Sequence, residues 1–327
     1  MNKLGWLVVL GVGAWWLWPA SSASKRAVSQ QAAVLPDGFA VLDSDGRHRV
    51  HELDDDGAHL GTTELPALPR ELRLVGTAAG PAVAWVAGKQ VALASIDMTD
   101  SPRKFGKSVA LLCAGAASNE HKFGVAWIEK DGSLWFVHGP TSRAAELPAI
   151  EALPAVFETD DATAKVPDHC AVASADDKLA FLWRDGNRVS LLRCGRSCES
   201  RAHDVKLPKG GELRGFGCTK DACVVVARRD GTTTAHWLDA KGKVVWSKPL
   251  PDARADTAVS VVGAGTQIAI AYGIDPEPVV RIASRGGELR AVWQGTSETE
   301  PALAWSGRTL LVAYQVGGEL GTAILRP

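Results

Sequence analysis

Short apolar strands recur along this chain at a nearly fixed period. Each recurring block is an apolar strand, a turn that usually carries glycine, and a second strand leaving the turn. The copies begin FAVLDSDGRHRVHELD (39–54), PAVAWVAGKQVALASID (81–97), FGVAWIEKDGSLWFVHG (123–139) and LAFLWRDGNRVSLLRCG (179–195). They continue ACVVVARRDGTTTAHWLD (222–239), QIAIAYGIDPEPVVRIAS (267–284) and TLLVAYQVGGELGTAIL (309–325). The turns fall near Gly46, Gly88, Gly132, Gly186, Gly231, Asp275 and Gly317, at spacings of 42, 44, 54, 45, 44 and 42. Asp-Gly occupies four of them (45–46, 131–132, 185–186, 230–231), and that dipeptide supplies the positive φ angles of a tight hairpin.

A small-residue strand precedes each hairpin, as in LRLVGTAAG (72–80), VALLCAGAAS (109–118) and HCAVASA (169–175). A more polar strand follows it and often exits through Leu-Pro, as in TTELP (62–66) and HDVKLP (203–208). Four strands in roughly 44 residues is the size of one propeller blade. The pattern therefore predicts an all-β fold: a single seven-bladed β-propeller of four-stranded antiparallel blades over 37–327. Stacking the sheets radially buries both faces of each and leaves few open edges. The small residues suit inner strands near a crowded axis. An aromatic closes the second strand at Trp85, Trp127, Trp183, Tyr272 and Tyr314, where a wedge between blades is expected. The chain ends at Pro327, just after a third strand, so the last blade lacks its outer strand. Residues 26–35 either supply it or form the first blade's inner strand.

The N-terminus breaks the pattern. Met1-Asn2-Lys3 leads into an uncharged apolar run of 15 residues, Leu4 to Trp18, and Pro19-Ala20-Ser21-Ser22-Ala23 follows. This is the layout of a secretory signal peptide over 1–23, and a span would need roughly 20 residues. A retained membrane anchor is the alternative. Residues 24–36 are then a linker or ring-closing strand. The expected location is periplasmic or extracellular.

The six cysteines fit export, where an even number reads as disulfides. Cys194 with Cys198 and Cys218 with Cys223 are local pairs across turns. Cys113 and Cys170 sit on inner strands of consecutive blades and would staple them. The competing reading is a four-thiolate zinc site from Cys194, Cys198, Cys218 and Cys223.

Residues 236–246, HWLDAKGKVVW, resemble the repeat of PQQ-type quinoprotein propellers, in which a third strand ends in Leu-Asp before a Gly turn and a fourth strand carries a docking Trp. Leu238, Asp239, Gly242 and Trp246 match it, and HELDDDGAHLG (51–61) is a looser copy. The resemblance implies a propeller and does not support quinone binding, because the cofactor-contacting residues of those enzymes cannot be matched here residue by residue. No cofactor or metal is expected.

Composition and motifs narrow function mainly by exclusion. With a formal net charge of −1, nothing in the composition suggests a nucleic-acid surface or a polyacidic partner. There is no G-x-S-x-G elbow and no P-loop, and KDGSLW (130–135) falls short of a sialidase-type box. Gly263-Ala264-Gly265 is a turn with no helix after it. His48, His51 and His59 surround Asp54-Asp55-Asp56, but strand alternation turns His48 and His51 opposite ways, so solvated polar surface is expected. The turns between second and third strands share one rim, which carries Arg47, His48, Lys130, Arg184, Arg188, Arg228 and Arg229 beside several Asp residues. These form a candidate basic arc for an anionic glycan or an acidic protein loop, set against ordinary solvated turns. The insertion 149–168 carries five acidic residues and one Lys. The expectation is an exported, monomeric, non-enzymatic binding or scaffold protein of the cell envelope, with an envelope protein or glycan as ligand and membrane contact only through the N-terminus. The alternatives are a propeller-fold glycan hydrolase or lyase working at the channel mouth, and a cell-surface adhesion or motility component.

Overall fold

The computed structural model describes residues 31–43, 47–66, 72–77, 80–97, 102–113, 116–117, 122–131, 133–140, 169–175, 178–194, 199, 202–275 and 277–327. The N-terminal segment 1–23, the acidic insertion 149–168 and Cys198 lie outside them. No helix of the described residues is long and apolar enough to cross a membrane.

Every described element is a strand, and the strands form antiparallel meanders. Six sheets have four strands each, and one has three. This corrects the expected seven four-stranded blades to six. In the seventh sheet, Ala302–Trp305, Leu310–Val316 and Glu319–Leu325 are the described strands. Gln31–Leu35 is the inner strand of the first sheet, paired with Gly38–Asp43, which is the second of the two roles expected for the stretch 26–35. The inner strand expected over 109–118 is broken in two, with Val109–Leu112 and Ala116–Ala117 both pairing with Lys122–Glu129.

The inner strands run side by side around an axis, and the last, Ala302–Trp305, lies next to the first, Gln31–Leu35. Buried apolar side chains fall into seven clusters, one at each junction between neighbouring sheets. The closing junction packs Phe39, Val41 and Leu53 of the first sheet on Ala302, Ala304, Leu311 and Ala313 of the last. Thr322 Oγ1 donates to Gly57 O across it at 3.3 Å. The ring is closed.

Being covered on both sides explains the continuous apolar runs. In Ala222–Arg229, Val224 and Val226 face the sixth sheet, while Cys223 and Val225 face the fourth. Trp85, Trp127, Trp183 and Tyr272 are buried wedges, each between its own sheet and the preceding one. Outer strands such as Val244–Pro249 face water and read polar. The Asp-Gly turn at 230–231 has φ of 49° and 80°, as a two-residue hairpin requires.

Two disulfides lie wholly within the described residues. Cys113–Cys170 joins the third and fourth sheets (Cα–Cα 5.2 Å), and Cys218–Cys223 links neighbouring strands of the fifth (4.0 Å). Cys194 is also disulfide-bonded. Cys218–Cys223 removes the thiolates that the zinc reading needs.

His236, on Thr232–Asp239, is buried, and its Nδ1 lies 2.8 Å from Ser247 Oγ. Burial pushes its pKa down, because the charged ring would lose its water. The unfolded chain therefore takes up the proton first as pH falls. Stability is complete above about pH 6.5 and is lost as pH drops toward the folded value. Urea midpoints at pH 8 and pH 5.5 check this, and His236→Gln is expected to remove part of the difference.

Candidate functional site

Strand direction alternates within each sheet, so the connections divide between two rims. One rim carries the second-to-third turns with the arginines singled out from sequence. The other carries the first-to-second and third-to-fourth turns, and there the channel opens into a cavity of about 1160 Å³. Its inner wall is small, with Ala32, Ala33, Ala173, Ser174, Gly217 and Gly263 among the lining residues. Its mouth runs outward between the rims of the fifth and sixth sheets to Val245, which is 48% exposed.

Three turns edge this groove with cations. The turn from Glu212–Cys218 into Ala222–Arg229 carries Lys220 and Asp221. It is held by the Cys218–Cys223 bridge and by Thr219 N donating to Ala222 O at 2.8 Å. From the fourth sheet, Arg193 Nη1 donates to Lys220 O at 2.5 Å and Nη2 contacts Cys223 Sγ at 3.2 Å. Arg193 is 3% exposed. Burial pushes the pKa of its guanidinium down, while the carboxylates of Glu199, Asp221 and Asp239 push it back up.

The second turn, from Thr232–Asp239 into Val244–Pro249, carries Lys241. Asp239 Oδ1 accepts from Lys241 N and Lys243 N, both at 2.9 Å. Gly242 has φ +76°, and an added Cβ would sit 3.2 Å from Val205 Cγ2 of the fourth sheet. The third turn, from Pro278–Ala283 into Leu289–Gln294, carries Arg285. Trp246 Nε1 donates to Ser284 O at 3.1 Å, and Lys248 Nζ donates to Gly287 O at 2.6 Å. The matched residues Asp239, Gly242 and Trp246 thus act as turn and inter-sheet braces.

Among the described residues, the side chains of Lys220, Lys241 and Arg285 make no hydrogen bond or ion pair. Of the lining carboxylates among the described residues, Asp239 is committed to its own turn.

On the opposite rim, three arginines are answered by carboxylates. Arg47 pairs with Glu64 (3.0 Å), Arg188 with Asp204 (3.0 Å) and Arg229 with Asp230 (3.1 Å). Arg184 Nη1 donates to Gly211 O at 2.7 Å. Lys130 and Arg228 make no ion pair among the described residues and belong to different sheets, while His48 keeps an interaction of its own. Asp54 Oδ1 accepts from Asp56 N and Ala58 N, so the acidic triplet is a turn. His51 Nδ1 and His59 Nε2 both meet Thr62 Oγ1, at 3.0 and 2.8 Å. No metal-holding group of three or more His, Cys, Asp or Glu occurs among the described residues. Sequence reasoning missed Lys220, Lys241 and Arg285. The available signal was a cation at three turns of two consecutive repeats on the rim opposite the arginines.

No protein-family model matches the chain, and no curated protein matches its sequence. Solved structures do. The β-propeller domain of Cps50 (Swd1) from Myceliophteria thermophila has a TM-score of 0.55 at 15% identity, covering 90% of this chain and 96% of that one. BBS1N, crystallised in complex with ARL6DN, has a TM-score of 0.52 at 16% identity, covering 92% and 94%. Virginiamycin B lyase from Staphylococcus aureus, crystallised with quinupristin, has a TM-score of 0.51 at 12% identity, covering 86% and 92%. The chain is a β-propeller. Identities this low establish the fold of this propeller and leave its ligand to be argued from the site.

Proposed function

We propose that this propeller is an exported, non-enzymatic binding protein of the cell envelope, holding a protein partner at the mouth of its channel. The observation that carries the reading is the groove itself: a cavity of about 1160 Å³ edged by braced turns whose cations make no hydrogen bond or ion pair among the described residues. Preorganised turns lose little entropy on binding. The neighbour crystallised with a protein partner supports a protein ligand. Export draws support from the disulfides, which persist in oxidising compartments, and from the signal-like layout of residues 1–23. Crosslinked affinity capture of the tagged protein from its native cells tests the reading. One or two envelope proteins retained near stoichiometry are expected, and capture that retains none overturns it.

A further inference from the structure

We infer that the groove between the rims of the fifth and sixth sheets is a docking site for an acidic, extended peptide segment of the partner. This rests on the proposed binding function and specifies its ligand. Lys220, Lys241 and Arg285 sit on three separate turns, so a ligand meeting all three has several negative charges spread along its length. A single phosphate or carboxylate would fill little of about 1160 Å³. Around the cations the lining mixes small apolar side chains with the polar groups of Thr266, Gln267 and Ser284, and Val245 is exposed at its outer end. An extended peptide can place acidic side chains at the separated cations while its backbone amides meet the polar groups of the lining.

The local charge balance favours an anion. Of the charged side chains described in the lining, Lys220, Lys241 and Arg285 are cations and Asp221 and Asp239 carboxylates, and Asp239 is bound to its own turn. The three exposed cations are left to meet an incoming charge. Each stands on a braced turn, through the Cys218–Cys223 bridge, the Asp239 carboxylate and the Trp246 indole respectively.

The test is fluorescence anisotropy of the full chain with two labelled probes, an alternating glutamate–leucine peptide and an oligouronate. The peptide is expected to bind and to weaken steeply with salt. The variant Lys220→Glu, Lys241→Glu, Arg285→Glu is expected to lose more than about tenfold in affinity, and the corresponding Gln variant to fall between. Arg47→Glu with Arg229→Glu, on the opposite rim, is expected to bind as the parent does. All of these positions are exposed, and an unchanged near-UV spectrum confirms folding. Equal peptide affinity in the parent and the reversed variant overturns the inference, as does preference for the oligouronate. Partner capture that succeeds while the peptide fails removes this inference alone. Capture that retains nothing removes the binding function beneath it.

Discussion

Replacing Phe39 by alanine is expected to cost about 3–5 kcal/mol, the range for a large aromatic removed from a core. Phe39 is fully buried at the junction that closes the ring. Its neighbours across that junction include Ala302, Ala304 and Ala313, whose short side chains cannot swing in to fill the space. The junction also joins residues far apart in sequence, so its loss is not repaired locally. Denaturant titration of the variant checks this, with local hydrogen exchange as a second readout. The expected result is a large drop in midpoint with faster exchange in Glu319–Leu325. A loss under about 1 kcal/mol, within the range of ordinary surface changes, would mean that the ring does not depend on this contact.

Removing Cys113–Cys170 with paired alanine substitutions is expected to cost about 4 kcal/mol, and removing Cys218–Cys223 about 2 kcal/mol. The difference follows from the closed loops, 57 residues against 5. A longer loop takes more freedom from the unfolded chain when it is crosslinked. Cys113–Cys170 also ties two sheets together inside a packed junction, whereas Cys218–Cys223 crosses one turn within a sheet. Melting of the two double variants checks the order. Equal losses would contradict it.

The repeat made most of this fold legible. A turn such as Asp230-Gly231 announces its own geometry, and an apolar run such as Val224-Val225-Val226 fits only a strand covered on both faces. Less visible was whatever depends on pairing across sequence. Gln31–Leu35 could be read as an outer strand of the last sheet or an inner strand of the first, and only its register with Gly38–Asp43 decides. VALLCAGAAS reads as one largely apolar run, and only pairing with Lys122–Glu129 separates Val109–Leu112 from Ala116–Ala117. The period marks hairpins and not fourth strands, so by itself it could not give the number of four-stranded sheets.

The site was less legible than the fold. Arg47, Arg188 and Arg229 stand out beside turn motifs, yet their carboxylate partners lie on adjacent strands or the same turn, and pairing emerges only in three dimensions. Lys220, Lys241 and Arg285 are spread over two repeats and converge only because the fifth and sixth sheets stack. Nor does sequence show that the turn at Lys220 is braced by Arg193 from the preceding sheet.

On the proposed function, the partner is held at the channel-mouth rim. Site-specific photo-crosslinking in native cells tests it most directly, with a photoreactive amino acid in place of Thr266 at the mouth or in place of Arg229 on the opposite rim. A discrete protein adduct from position 266 and none from position 229 is the predicted result. An adduct from position 229 alone, or from neither, would contradict the account.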